Sequence, residues 1–203
     1  MGATGLIMIA WVTVHMIGNL QVFAGPTKLN AYSSFLHNSI GELLWVARII
    51  LLLAVVLHIV AAWQLTRIDR AARNVAYARK VPQSATLASR SMRWGGVVIV
   101  LFIVFHLLHL TTGTIRPAPF IEGNIYSTLV GGFHVWWVVL IYVLAMIPLG
   151  AHIFHGAWAS FRTLGLNHPS ANPQRRPVAL WVAIVVWAGF TVVPLAVFFG
   201  WVR

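Results

Sequence analysis

Five runs of this chain are apolar over longer stretches than soluble folds ordinarily use: about residues 3–24, 43–66, 92–115, 131–161 and 178–202. Each reaches the roughly 20 residues that a helix rising about 1.5 Å per residue needs to cross a hydrocarbon layer about 30 Å thick. Backbone polar groups must pair within lipid, so only helices and closed barrels span it. Barrel strands would read as alternating segments of about 10 residues, whereas these runs are longer and uniformly apolar. The sequence therefore predicts an all-α integral membrane protein in which residues 1–203 form one membrane domain of five transmembrane helices. A mean hydropathy of +0.84, with only 8% charged residues, extends that conclusion to the whole chain.

The formal charge of +11, from 14 Lys and Arg against 3 Asp and Glu, would suggest nucleic acid in a soluble protein. Here its placement reports topology instead. Arg67, Arg70, Arg73, Arg79, Lys80, Arg90 and Arg93 cluster between the second and third runs, and Arg162, Arg175 and Arg176 between the fourth and fifth. With the N-terminus inside, both basic connections face the cytoplasm, as the positive-inside rule requires. No soluble domain carries the basic residues, so no nucleic-acid partner is expected. The chain has no cysteine, which excludes disulfides, a protein-held iron–sulfur cluster and covalent haem attachment. The first run lacks a basic leader and a small-residue cleavage site, and is expected to be a retained helix.

Punctuation divides the rest. Gly25-Pro26 closes the first helix, and the polar segment Thr27 to Gly41 has room for a short interfacial helix. Arg116-Pro117-Ala118-Pro119 stops the third helix. The fourth is expected to be unusually long and kinked by Pro148 just before His152. Residues 165–177, with Pro169, Pro173 and Pro177, read as irregular inner loop. The fifth run has no histidine and is expected to serve packing.

The other four runs each hold a histidine at depth: His15, His58, His106 and His152. A titratable imidazole inside an apolar helix is costly and marks a functional position. Counted at about 1.5 Å per residue, His15 and His106 lie roughly 13–14 Å from the outer ends of their helices. His58, at about 22 Å, and His152 form a second, inner level about 10 Å away. Two imidazoles facing each other at matched depth are what a bis-histidine haem requires, so the chain is expected to form a haem-binding bundle holding two haem b groups. Gly18 and Gly156, one turn from His15 and His152, are expected to admit a porphyrin about 10 Å across beside the backbone. His109, one turn beyond His106, is a competing ligand candidate or a propionate or helix–helix hydrogen-bond partner, and His155, in the same relation to His152 on the inner side, suits partner contact or proton handling. Arg48 and Arg93, with Asn19, Gln21 and Arg162, are candidate donors to the haem propionates. The competing interpretation is a haem-free bundle in which the four histidines hydrogen-bond between helices.

The segments around these residues closely resemble the succinate dehydrogenase cytochrome b subunit, the five-helix, two-haem membrane anchor of succinate:quinone oxidoreductases and fumarate reductases. They are "VHMIGNLQVFAGPTKLNAYSSFLH", "WVARIILLLAVVLHIVAAWQLTR", "SRSMRWGGVVIVLFIVFHLLHLTTG" and "LGAHIFHGAWASFRTLGLNHP". The resemblance implies His15 and His106 on the distal haem and His58 and His152 on the proximal one, favouring His106 over His109 and His152 over His155. It further implies a flavoprotein subunit and an iron–sulfur subunit docked on the cytoplasmic side of a bacterial inner membrane. Electrons would then pass to a membrane quinone, menaquinone in anchors of this architecture, and no dicarboxylate-oxidising site would lie on this chain. The short N-terminus departs from the polar inner extension usual in such anchors. Glu42, the acidic residue at the outer start of the second helix, is the candidate for quinone chemistry. A helix-start role favoured by the dipole is its structural alternative. Rival functions are the cytochrome b subunit of another quinone-linked oxidoreductase, and a haem-free structural anchor or transporter.

Overall fold

A computed structural model describes residues 1–72, 87–165 and 172–203. The basic positions Arg73, Arg79 and Lys80, with His168 and Pro169 of the later connection, lie outside the described residues. The order of elements is α1 (Gly2–Asn19), continued by a 3₁₀ turn (Leu20–Ala24); α2 (Pro26–Ser34), continued by a π turn (Phe35–Ser39); α3 (Gly41–Ala71); α4 (Leu87–His106), continued by a π turn (Leu107–Thr111); α5 (Ile125–Phe133); α6 (Trp136–Thr163); and α7 (Asn172–Phe198). Among the described residues five helices are long and apolar enough to cross a membrane: Gly2–Ala24, Gly41–Ala71, Ser91–Thr111, Trp136–Thr163 and Gln174–Phe198. The protein is an all-helical, multi-pass membrane protein.

Three boundaries differ from the sequence expectation. The run 131–161 is not one helix. Asn124 caps a separate α5 by accepting from the Ser127 backbone N–H at 3.1 Å, and extended backbone at Val135 breaks the chain before α6. The third span ends at Thr111, before Gly113 takes a left-handed φ of +61° that only glycine adopts cheaply. The loop expected over 165–177 is shorter, since α7 begins at Asn172, where a proline in the first turn costs no hydrogen bond.

The spans form a chain of seams. α3 lies along α1, α1 along α6, and α6 along α4, while α7 packs behind α1 and α6. The fourth side, between α3 and α4, has no packed seam among the described residues. The Arg93–Asp69 ion pair at 3.2 Å ties it at one end. The dry core sits at the opposite end, where Val22, Leu29, Leu129, Phe133, Val138 and Val197 pack together. There Asn30 joins α2 to α5, donating to Asn124 Oδ1 at 3.0 Å and accepting from the Tyr126 backbone N–H at 3.0 Å. Exposed apolar residues along α3, such as Leu52, Leu57 and Ile59, are ordinary for a surface facing lipid. Arg48 lies over Trp45 and Arg67 over Trp63, at 5.0 and 4.9 Å. These two pairs stand about 28 Å apart along the helix, close to the hydrocarbon thickness that Arg and Trp anchors bracket.

Candidate functional site: two histidine pairs across the bundle diagonals

The seams place α3, α1, α6 and α4 around a quadrilateral whose diagonals are α1–α4 and α3–α6. Neither diagonal is a packed seam, yet each is crossed by two imidazoles. His15 of α1 faces His106 of α4 with ring centroids 5.8 Å apart and planes at 80°. His58 of α3 faces His152 of α6 at 6.1 Å and 53°. These are the pairs that depth counting predicts. Thr4, level with His58, stands about 16 Å along α1 from His15, and Gly96, level with His152, about 15 Å along α4 from His106. The levels are thus about 15 Å apart, not the expected 10 Å. The shorter figure assumes flush span ends, whereas the ends are staggered, the third span stopping at Thr111 and α6 starting only at Trp136.

The hydrogen bonds fix how the inner pair presents itself. The Thr4 hydroxyl donates to the Met1 carbonyl at 3.0 Å and lies 3.1 Å from His58 Nδ1. A hydroxyl has one proton, so toward the imidazole it accepts. With that proton on the Met1 carbonyl, His58 donates from Nδ1, which leaves the lone pair on Nε2; Nε2 is buried and without a partner. His152 Nδ1 is likewise buried without a partner. A buried polar atom left unpaired costs about 1–3 kcal/mol, and two of them at facing rings mark a place for something that both could bind. In the other pair the Asn19 amide lies 3.2 Å from His15 Nε2, and His106 Nδ1 lies 3.2 Å from the Tyr142 hydroxyl.

Among the described residues no three His, Cys, Asp or Glu side chains converge on one point. Two trans imidazoles alone are a poor donor set for a bare ion, but they complete the coordination of a metal whose other four positions come from a macrocycle. Two nitrogen–metal bonds of about 2 Å each, plus the distance from nitrogen to ring centre, set the centroids about 6 Å apart. Both measured separations meet that figure.

The remaining predicted residues fall in different places. A Cβ at Gly18 would lie 2.9 Å from the Tyr32 ring, so this glycine makes room for a tyrosine of α2; at Gly156 a Cβ would meet nothing within 4 Å. The glycines that touch the imidazoles are Gly5, whose Cβ would be 3.6 Å from His58 Cε1, and Gly96, at 3.9 Å from His152 Cε1. Sequence reasoning missed them because it sought small residues on the ligand's own helix. The signal was a glycine at matched depth on the neighbouring one. It also missed Thr4 and Tyr142. Arg93 is engaged by Asp69. Arg48 donates to His37 Nε2 at 3.3 Å, His37 itself donating through Nδ1 to the Ser33 carbonyl at 2.8 Å. Glu42 and His37 line a shallow cavity of about 500 Å³ at the start of α3. His109 is buried against Tyr142, and His155 contacts the Trp158 ring edge-on at 6.3 Å.

Compared with known protein families, curated proteins and solved structures, the chain finds no match. Fold and side chains define the class on their own: a five-span helical membrane protein with two stacked histidine pairs inside its bundle.

Proposed function

We propose that this chain is the diheme cytochrome b membrane anchor of a succinate:quinone oxidoreductase, passing electrons from a docked iron–sulfur subunit to a quinone in the membrane. The observation that carries the proposal is the pair of diagonal imidazole couples at 5.8 and 6.1 Å, one from each of four helices. His15 and His106 would hold one haem b and His58 and His152 the other. Bound there, the two haems would supply one-electron carriers stacked along the bundle axis. The protein's part is positional. Thr4, 3.1 Å from His58 Nδ1, would hold that ring, Gly5 and Gly96 let the neighbouring helices approach the inner imidazoles, and the four backbones hold the separations.

In the proposed orientation the N-terminus and the α3–α4 and α6–α7 connections face the cytoplasm. The basic residues Arg67, Arg70, Arg162, Arg175 and Arg176 would then border the docking face for the flavoprotein and iron–sulfur subunits. Glu42 would lie on the opposite side in the cavity with His37, where a carboxyl can take or give a proton as a quinone, menaquinone by resemblance, is reduced. His37 and Arg48 supply a connected donor beside it.

The test is a pyridine haemochrome assay with reduced-minus-oxidised spectra on wild type and on single alanine variants of the four histidines. Two haem b per chain, one lost in each variant, is the expected result. No haem in the purified wild-type complex, or retention of both in all four variants, would overturn the assignment.

A further inference from the structure

We infer that Tyr142 is a positioning residue that orients His106 through a directed hydrogen-bond chain ending on His109, and thereby sets the reduction potential of one haem and not the other. The inference rests on the proposed haem at His15 and His106. The Tyr142 side chain is only 7% exposed, and its hydroxyl lies 3.2 Å from His106 Nδ1 and 3.0 Å from His109 Nδ1. A phenol has one proton, so it donates to one imidazole and accepts from the other. If His106 gives the lone pair of Nε2 to a metal, its proton is on Nδ1, and Nδ1–H donates to the Tyr142 oxygen. The phenol proton must then point at His109 Nδ1, leaving the His109 proton on Nε2. The ligand role of one residue thus fixes the tautomer of another through the shared phenol.

The surroundings hold this arrangement in place. Phe102, Phe105 and Phe133 meet the Tyr142 ring edge-on at 5.0, 6.0 and 4.8 Å. His109 is 3% exposed, and a Cβ at Gly132 would come within 2.7 Å of its Nε2, so the imidazole is backed by a position only glycine leaves open. A phenol oxygen that accepts while its own proton is donated is the stronger acceptor. It makes His106 the more electron-donating ligand, which favours the oxidised haem. Ligand partners of this kind tune affinity and potential at metal centres. Sequence alone gave His109 only as a competing ligand or a general hydrogen-bond partner; here it is the terminal acceptor.

The experiment is a potentiometric titration of haem spectra in His152→Ala, which keeps only the His15/His106 site, with and without Tyr142→Phe. Phenylalanine preserves the ring packing and removes only the hydroxyl. The expected result is a higher midpoint potential, with the reduced-to-oxidised ratio at fixed potential rising about tenfold, or about 59 mV for a one-electron couple. His109→Leu, which removes only the terminal acceptor, is expected to move the same haem in the same direction by less, and it stands in as the second variant if Tyr142→Phe is not recovered folded. In the His15→Ala background, which keeps the other site, neither change should act. An unchanged potential at the His15/His106 site, or an equal shift at both sites, overturns the inference. Absence of haem from the unsubstituted chain overturns instead the reading on which it rests.

Discussion

The position of His109 yields a stability prediction that involves no cofactor. Gly96 and Gly132 both lie in helices beside an imidazole, but at different distances. A Cβ on Gly96 would stand 3.9 Å from His152 Cε1, an ordinary contact, whereas one on Gly132 would stand 2.7 Å from His109 Nε2 and 2.9 Å from Cε1. Gly96→Ala therefore adds helix propensity without a clash, a gain of about 0.5–1 kcal/mol. Gly132→Ala requires the His109 ring to retreat by about 0.7 Å to reach ordinary contact. The ring is buried, and its other nitrogen is tied to Tyr142 at 3.0 Å, so retreat strains that bond or the α5 packing. Overpacking of this kind costs about 1–3 kcal/mol. Gly132→Ala should then fall below Gly96→Ala by about 1–3 kcal/mol in detergent unfolding measured side by side. His109→Ala added to Gly132→Ala should recover the steric part as a coupling energy. Equal stability of the two glycine variants, or no coupling with His109, would refute the close approach.

Two further outcomes follow from the inner pair. Thr4→Val keeps the shape of the side chain but removes the acceptor for His58 Nδ1. Retention of haem at the His58/His152 site should weaken about tenfold while the other site is unaffected, read as the ratio of the two bands during haem extraction. Arg93→Gln breaks an ion pair whose side chains are 54% and 58% exposed. It should change stability by less than about 1 kcal/mol and leave both haems in the reduced-minus-oxidised spectrum; loss of the inner haem alone would return Arg93 to propionate binding.

The spans and the pairing partners of the four histidines were legible because both are one-dimensional facts. Apolar length is read along the chain, and depth is residue number times rise. The break at His134 and Val135 was not legible, since Gly131 to Phe133 before it and Trp136 to Val139 after it are apolar. What separates α5 from α6 is the extended backbone at Val135. Gly18 and Gly156 illustrate a second limit. Spacing of three or four residues finds what shares a face of one helix, but the glycines that approach the inner imidazoles lie on the adjacent helices, Gly5 of α1 against His58 and Gly96 of α4 against His152. Tyr142 could have been found by the depth argument itself, since it stands about 15 Å along α6 from His152 and so at the level of His106.

The competing view, histidines as hydrogen-bonding residues of a haem-free bundle, predicts a specific geometry. Helix association in lipid draws on close packing and interhelical hydrogen bonds, so paired imidazoles serving that purpose would approach to a nitrogen–nitrogen distance of about 2.9 Å across a tight seam. Neither condition holds. Among the described residues no hydrogen bond joins His15 to His106 or His58 to His152. Instead His15 is held by Asn19, His106 by Tyr142 and His58 by Thr4, while His58 Nε2 and His152 Nδ1 are buried with no partner at all. Among the described residues α3 packs along its length against α1 but not along α4 or α6. The unpaired atoms lie at the His58/His152 pair, and the unpacked flank of α3 lies beside it, two costs that a bundle stabilised by its own contacts has no reason to place together. A bundle that held a flat group between those two imidazoles, as proposed, would carry both.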